Sequence, residues 1–426
     1  MGADVDANGE RARLRRDVAW NLVPVVLLAV VGLGLNFLIG RWWGADALGA
    51  FNQVTPAFFT LAVLGAGGLQ YSVLRAIAES PDDPRVPAVV VGALVPGVAF
   101  AGLVAVGCLL LSTPVGRLVD SDAVTIGMRW VAPGVFCFAV NKILLGIVNG
   151  LRRMRAFAIY TSLRYVLIAA GLVVARASEL PASHLAVLWT LAEGALLVVL
   201  IGELVSTVQL RRCVGWTRWA RDHVAFGSRG LLATVAFEIN SKLDVWMLGV
   251  ALPDTQVGIY ALASSLYEGG GQLAVVVQNN LNPIIARDLA ANRHADVESL
   301  IQRTRRWFVP VMIAAAIAGA ALYPFAIPIL VGDNSFSAGA APFAILMAGL
   351  AIGSRWLPFN QTLLMAARPG WHTVYIAGMI AIAFVGDYVL IPVLHLEGAA
   401  IATAFAQVAS AALLVIFVRL RVGVRL

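Results

Sequence analysis

The sequence contains few charged residues. Asp, Glu, Lys and Arg make up 13% of its 426 residues, whereas soluble globular chains contain about 25%. Hydrophobic residues account for 60%, and the mean hydropathy is +0.84. An apolar surface of that size cannot be hidden in one water-soluble core. Composition therefore excludes a soluble enzyme and predicts a chain whose solvent is lipid.

Cysteine and histidine are also scarce. The three cysteines are far apart in the chain, and the five histidines are equally dispersed, so neither a disulfide framework nor metal-ligand spacing is present. The sequence has no phosphate-binding Gly-Lys-Ser loop, no His-Glu-x-x-His and no nucleophile elbow. We therefore expect no catalytic residues, no bound metal, no cofactor and no ATP-driven pump.

Lysine is nearly absent, since the 31 basic residues comprise 29 Arg and 2 Lys. If the N-terminus is cytoplasmic, 22 of them fall in inner segments and 3 in outer loops. Positive residues resist translocation, so this bias predicts that both termini face the cytoplasm. The arginines are spread over all the inner loops, which excludes a nucleic-acid site.

Long apolar runs fill the rest of the chain. The first run follows Arg11–Arg16 and is longer than the roughly 7–15 residues of a signal peptide core, so it predicts an uncleaved helix. An α-helix needs about 20 apolar residues to cross a bilayer. The expected spans are 18–40, 51–75, 87–111, 123–148, 157–175, 184–208, 226–250, 256–284, 306–331, 338–366, 372–393 and 398–420.

An internal repeat divides these spans into two halves. Leu48–Phe51 joins spans one and two, Val257–Tyr260 joins spans seven and eight, and both read apolar-Gly-x-aromatic. Six spans before the second copy give both halves the same orientation. We therefore expect an all-α membrane protein with a six-helix lobe at 1–214 and another at 215–426. The outer loops between spans are too short to form a receptor domain.

Span eight carries a row of polar residues at steps of three, four and seven, which places them on one helical face. The row consists of Ser264, Glu268, Gly271, Gln272, Asn279 and Asn282. A charge at the bilayer centre costs about 2.5–3.5 kcal/mol on insertion scales, so this face is expected to meet a hydrated cavity. Hydrogen bonding between helices is the alternative explanation.

Other spans contribute fainter polar rows. Span two carries Gln53 and Arg75, and span one carries Asn36. In span seven, Glu238 and Lys242 are spaced to pair along one helical face, as a structural pair or a functional one. Lys142 and Arg164 are expected to extend towards the inner membrane edge, and no role is predicted for Glu193 or Asp387.

Several stretches together resemble one family. They are 36–51, Leu243–Gly249 with Val257–Ala263, Asn282–Asp288, Leu330–Phe336 and Leu396–Thr403. In order and spacing they resemble the polysaccharide transporters, of O-antigen-flippase type, in the multidrug/oligosaccharidyl-lipid/polysaccharide exporter superfamily. The likeness extends over nearly the whole chain.

This resemblance implies about twelve transmembrane helices in two six-helix lobes around a central cavity. It implies flipping of a polyprenyl-(pyro)phosphate-linked oligosaccharide across the cytoplasmic membrane by alternating access, with membrane lipid and glycan-assembly enzymes as partners. Arg75, Arg229 and Lys242 become the cationic substrate-binding candidates, and Glu268, Gln272, Gln53 and Asn36 the polar ones. Glu238, Asp244 and Glu268 give the cavity mixed charge and are candidates for coupling to H⁺ or Na⁺.

Two other functions remain open at this point. A cation-coupled multidrug exporter of the same superfamily would share the helices and the cavity, but it would favour aromatic and carboxylate linings. A membrane-embedded glycan polymerase or ligase would need a large outer loop with catalytic residues, which the sequence lacks.

Overall fold

A computed structural model describes the backbone of residues 2–79, 83–209 and 213–426. The side chains of residues 1–26, 28, 29 and 233 lie outside the described part of the chain. The prediction for Arg11–Arg16, which precede the first span, therefore also lies outside it. The helices are α1 Gly2–Ala66, α2 Leu69–Glu79, α3 Val86–Leu118, α4 Asp122–Gly150, α5 Met154–Ala177, α6 Val187–Thr207, α7 Trp216–Asn240, α8 Leu243–Ala251, α9 Asp254–Ala290, α10 His294–Val331, α11 Ala340–Gly353, α12 Thr362–Met365 and α13 Pro369–Arg421.

Two of these helices each contain a sharp kink that separates two predicted spans. Gly44 in α1 has φ 88° and ψ 179°, a conformation that only glycine adopts without strain. His395 in α13 has φ 53° and ψ −124°. The kinks lie between spans one and two and between spans eleven and twelve, as the hydropathy pattern predicts.

Eight helical segments of the described chain are long and apolar enough to cross a membrane, and two of them contain these kinks. The predicted spans seven and eight, formed by α7 with α8 and by α9, are outside that set. Both carry acidic and basic residues within their length. The chain is therefore an all-α, multi-pass membrane protein, and its two most polar spans are the ones in which a functional site is expected.

The helices form two compact units that divide the chain differently from the predicted lobes. The first unit is Met1–Leu35 with Ala50–Ser241, and the second is Asn36–Gly49 with Lys242–Leu426. The first unit thus includes α7, and the second includes the C-terminal end of predicted span one. The lobes at 1–214 and 215–426 stay a prediction.

In the first unit, a fully buried ion pair joins α5 and α6. Arg164 and Glu193 pair with side chains that are 8% and 0% exposed. Asn141 of α4 donates a hydrogen bond to the Glu193 carboxylate at 2.8 Å, and the Arg164 guanidinium lies 4.4 Å from the centre of the Phe138 ring. The expectation that Arg164 extends to the membrane edge is therefore wrong, because a buried carboxylate compensates its charge where it stands.

In the second unit, the glycines of the two repeat motifs, Gly49 and Gly258, lie at a close crossing of two helices. A methyl group added at Gly258 would overlap the carbonyl oxygen of Ala45, and one added at Gly49 would overlap that of Asp254. Helices approach this closely only where the contact residues are small. The glycine that the two motifs share is explained by this crossing.

The buried ion pair predicts a large effect of removing one partner. Glu193→Ala leaves the Arg164 charge uncompensated, and we expect the unfolding free energy to fall by about 3–5 kcal/mol. Thermal unfolding of the purified protein in detergent measures the change. The control is Glu79→Ala in the exposed Arg75–Glu79 pair, which should cost less than about 1 kcal/mol. Equal losses in the two variants would contradict a structural role for Glu193.

The glycine crossing predicts a second stability effect. Gly258→Ala must push the two backbones apart and should destabilise the protein by about 1–3 kcal/mol. Gly107→Ala is the control, because its new methyl group would meet no atom within 4 Å apart from its chain neighbours and its own helix backbone. Unfolding midpoints of the two variants are compared in the same detergent. A Gly258→Ala protein as stable as the Gly107→Ala protein would refute the close crossing.

Candidate functional site

Span seven is interrupted near its middle. Helix α7 ends at Asn240 and α8 begins at Leu243. Lys242 lies in the break with φ −139° and ψ 24°, outside the helical region. An i,i+4 pair with Glu238 requires a continuous helix, so the predicted pairing along one face is wrong. The break instead turns Lys242 towards α9.

Lys242 forms an ion pair with Glu268, which lies near the middle of α9. The side chains are 27% and 40% exposed, so both charges remain accessible. Ser264, one turn earlier on α9, also contacts the Glu268 carboxylate at 3.4 Å. An accessible pair of this kind can exchange one partner for an incoming ligand at a smaller cost than a buried pair.

A second group of polar residues lies close to this pair. Tyr260 of α9 donates a hydrogen bond from its hydroxyl to Asp244 of α8 at 2.7 Å. Asp387 of α13 is buried and lies within electrostatic range of the half-buried Asp244. Two carboxylates that are near each other repel unless a proton or a cation lies with them.

Tyr267 connects the two groups. Its hydroxyl donates to Gln407 of α13 at 3.2 Å, and its ring lies within electrostatic range of both Glu268 and Asp244. We refer to Lys242, Asp244, Tyr260, Glu268 and Asp387 as the polar cluster; all five belong to the second unit. The described residues contain no group of three or more His, Cys, Asp or Glu side chains able to hold a metal ion. The oxygen atoms of this cluster suit a proton or a small hard cation.

The polar row on α9 divides into parts with different surroundings. Its N-terminal end is buried at Ser264, and Gln272 and Asn279 are exposed. Towards its C-terminal end, Asn282 donates to Gln361 at 2.8 Å, and the neighbouring Gln278, which is not part of the row, hydrogen-bonds Asn360. Hydrogen bonding between elements therefore explains Asn282, while the middle around Glu268 and Gln272 remains open to a ligand.

In the first unit, Glu238 of α7 is half-buried and interacts electrostatically with Lys142 of α4. The Lys142 ammonium lies 5.5 Å from the centre of the Phe138 ring. Lys142 therefore lies within electrostatic range of a carboxylate. The position expected for it, at the membrane edge, did not predict this interaction.

The remaining predicted residues are dispersed. Arg75 is exposed, bonds Glu79 at 2.9 Å and lies 6.0 Å from the ring centre of Phe226. Arg229 is exposed on α7, whereas Gln53 is buried and Asn36 half-buried on α1. The structure thus brings together Lys242, Asp244 and Glu268 in the second unit. Their assignment to substrate or ion binding stays a prediction, as it does for the others.

Sequence reasoning missed Tyr260, Tyr267, Asp387 and Gln407. Asp387 had a usable signal, because a lone carboxylate within an apolar span requires a partner. The partner could not be identified, since Asp244 and Asp387 are far apart in the chain and helix packing alone brings them together. Nothing in the sequence marked the two tyrosines as site residues, because an aromatic residue within a span usually serves only to pack against its neighbours.

Solved structures with the same fold are membrane transporters. An inward-closed lipid II flippase MurJ has a TM-score of 0.74 and 13% identity, over 94% of this chain and 87% of that one. An inward-facing multidrug resistance MATE family transporter of the MOP superfamily has a TM-score of 0.78 and 13% identity, over 96% and 98%. A MOP superfamily transporter from Pyrococcus furiosus, described as having a binding pocket of reversed polarity, has a TM-score of 0.57 and 13% identity, over 96% and 95%. A comparison with curated protein sequences gives no match.

These likenesses establish the fold. MurJ and the MATE transporters have folds of twelve helices. The family comes from the sequence itself. The family model described as polysaccharide biosynthesis protein matches residues 14–289, which include α7, α8 and almost all of α9. The chain therefore belongs to the polysaccharide biosynthesis protein family.

Proposed function

We propose that this protein flips a polyprenyl-(pyro)phosphate-linked oligosaccharide across the cytoplasmic membrane by alternating access, for cell-surface polysaccharide synthesis. The observation that carries the proposal is the Lys242–Glu268 pair at the interrupted helix. It offers a cation, within a membrane span, whose present partner is accessible and can be replaced. Membership of the polysaccharide biosynthesis family supports a saccharide cargo.

The lipid-linked substrate carries its negative charge on phosphate next to the sugar. A phosphate oxygen competes with the Glu268 carboxylate for Lys242, because both are anionic acceptors for the same ammonium group. Once Lys242 binds the phosphate, Glu268 is free to accept hydrogen bonds from sugar hydroxyls, together with Gln272 one turn further along α9. The polyprenyl chain remains in lipid.

Asp244 and Asp387 would couple this exchange to an ion. Their repulsion stabilises a proton or Na⁺ between them, and the Tyr260 hydroxyl fixes the Asp244 carboxylate. Tyr267 interacts electrostatically with both Asp244 and Glu268, so a change of charge at one carboxylate alters the electrostatic field at the other. Ion binding at the acids would thereby change the strength with which Lys242 holds its anionic partner.

The same acids also suit a cation-coupled multidrug exporter, the second candidate. Such a protein would use Glu268, Asp244 and the aromatic rings nearby to hold a cationic substrate, and its fold is shared with MATE transporters. Reconstituted protein separates the two functions in paired assays. The flippase moves a fluorescent polyprenyl-pyrophosphate oligosaccharide between leaflets and does not accumulate ethidium; the exporter gives the reverse result.

The Lys242–Glu268 exchange predicts which substitutions stop flipping. Lys242→Ala removes a charge-assisted contact worth about 1.5–3 kcal/mol, so we expect the flipping rate to fall about tenfold or more. Glu268→Gln keeps the shape but loses the charge that positions Lys242, and it should also slow flipping. Dithionite quenching of the fluorescent substrate in proteoliposomes gives the rates. The control is Arg218→Ala, an exposed arginine at the start of α7. Wild-type rates for both Lys242→Ala and Glu268→Gln would refute the assignment.

Ion coupling predicts a different pattern for the two aspartates. Asp244→Asn and Asp387→Asn should abolish the acceleration of flipping by an imposed pH or Na⁺ gradient, while exchange without a gradient continues. Asp120→Asn is the matched control, because Asp120 is exposed in a turn where asparagine is also tolerated. Gradient-driven flipping that survives in both variants would place the coupling site elsewhere.

A further inference from the structure

A second interrupted span places two arginines side by side in the second unit. Span ten breaks after α11 and continues through a short 3-10 turn, Leu357–Phe359, to α12. Arg305 of α10 reaches this break, and its Nε donates a hydrogen bond to the backbone carbonyl of Arg355 at 2.8 Å. The two residues therefore lie at the same depth in the membrane.

Aromatic rings hold both guanidinium groups. The Arg305 guanidinium lies 5.9 Å from the ring centre of Trp356 and 5.7 Å from that of Phe359, and the Arg355 guanidinium lies 5.7 Å from that of Trp356. Cation–π contacts of this kind orient the planar groups and leave their in-plane N–H bonds available. Trp356 is thus shared by the two cations.

Among the carboxylates that the structure describes, none neutralises these charges. Neither arginine takes part in an ion pair among the described residues, and the two guanidinium groups lie close enough to repel each other. The Nη2 atom of Arg305 is buried without a hydrogen-bond partner among those residues. An unsatisfied buried donor destabilises the protein, and more so when it is charged. An arginine that simply extended into water would avoid this cost.

An exposed apolar side chain lies close to one member of the pair. Ile352 is three residues from Arg355 and is 57% exposed. Arg305 also directly precedes the predicted span 306–331, on the side predicted to face the cytoplasm. A cationic pair beside exposed apolar surface at a membrane edge matches the structure of a lipid, whose charged headgroup adjoins its acyl chains.

We propose that Arg305 and Arg355 form a binding site for the phosphate group of an anionic membrane phospholipid, with Trp356 holding the two guanidinium groups in place. The forked N–H donors of arginine match phosphate oxygens, and a phosphate bound by the exposed Arg355 beside Arg305 would cancel the repulsion between the cations. The acyl chains would lie along Ile352. This site is separate from the polar cluster and does not depend on the substrate that is flipped.

Free inorganic phosphate shares the recognised group, so the test must distinguish the two sources. Native mass spectrometry of the delipidated full-length protein counts bound phosphatidylglycerol, with phosphatidylcholine as the neutral-headgroup comparison. Inorganic phosphate is added in a separate arm as a competitor. The variant is Arg305→Gln with Arg355→Gln, and the matched control is Arg303→Gln, an exposed arginine of the same helix.

We expect phosphatidylglycerol to bind and to raise the unfolding midpoint of the wild-type protein and of the control. Binding should weaken about tenfold or more in the double variant, since each arginine near an anionic surface contributes about 1 kcal/mol. If the double variant does not fold, Trp356→Leu keeps both charges and should weaken binding by loosening their position. Equal binding of phosphatidylcholine, unchanged binding by the variants, or full displacement by millimolar inorganic phosphate would overturn the proposal.

Discussion

A charge inside a membrane is stable only when another group compensates it, because lipid offers no water to do so. This chain meets that requirement in two ways. Arg164 and Glu193 compensate each other in a fully buried pair, where neither can leave without a large cost. Lys242 and Glu268 form a pair that is partly open, so a ligand can take the place of one partner. The first arrangement suits a structural role, and the second suits the ligand exchange that we propose.

Interrupted helices create the functional geometry. A continuous span seven would direct Lys242 along its own helix, whereas the break at Ser241 and Lys242 lets it reach α9. A break in span ten likewise exposes the Arg355 carbonyl to Arg305. Irregular backbone within a membrane must satisfy its polar groups locally, so such breaks occur where side chains from neighbouring helices bond to them. Here those side chains are also the candidate binding groups.

Much of the fold could be predicted from sequence because hydropathy and arginine distribution are strong, local signals. The kinks at Gly44 and His395 fall between predicted spans, and the family resemblance agrees with the family match. Pairing of charges was harder. The i,i+4 spacing of Glu238 and Lys242 suggested a pair that the helix break removes, and the partners of Arg164 and Asp244 come from distant parts of the chain. Such partnerships arise from helix packing, which periodicity alone does not determine.

The chain contains only two lysines, Lys142 and Lys242, so their ammonium groups can be observed separately. The most direct measurement is the ¹⁵N resonance of both side-chain nitrogens in reconstituted protein, assigned with Lys142→Arg and titrated with a polyprenyl-pyrophosphate oligosaccharide. The exchange of Glu268 for phosphate predicts that the Lys242 signal shifts to saturation while that of Lys142 stays in place. A Lys242 signal that is unchanged at saturating substrate would contradict the account.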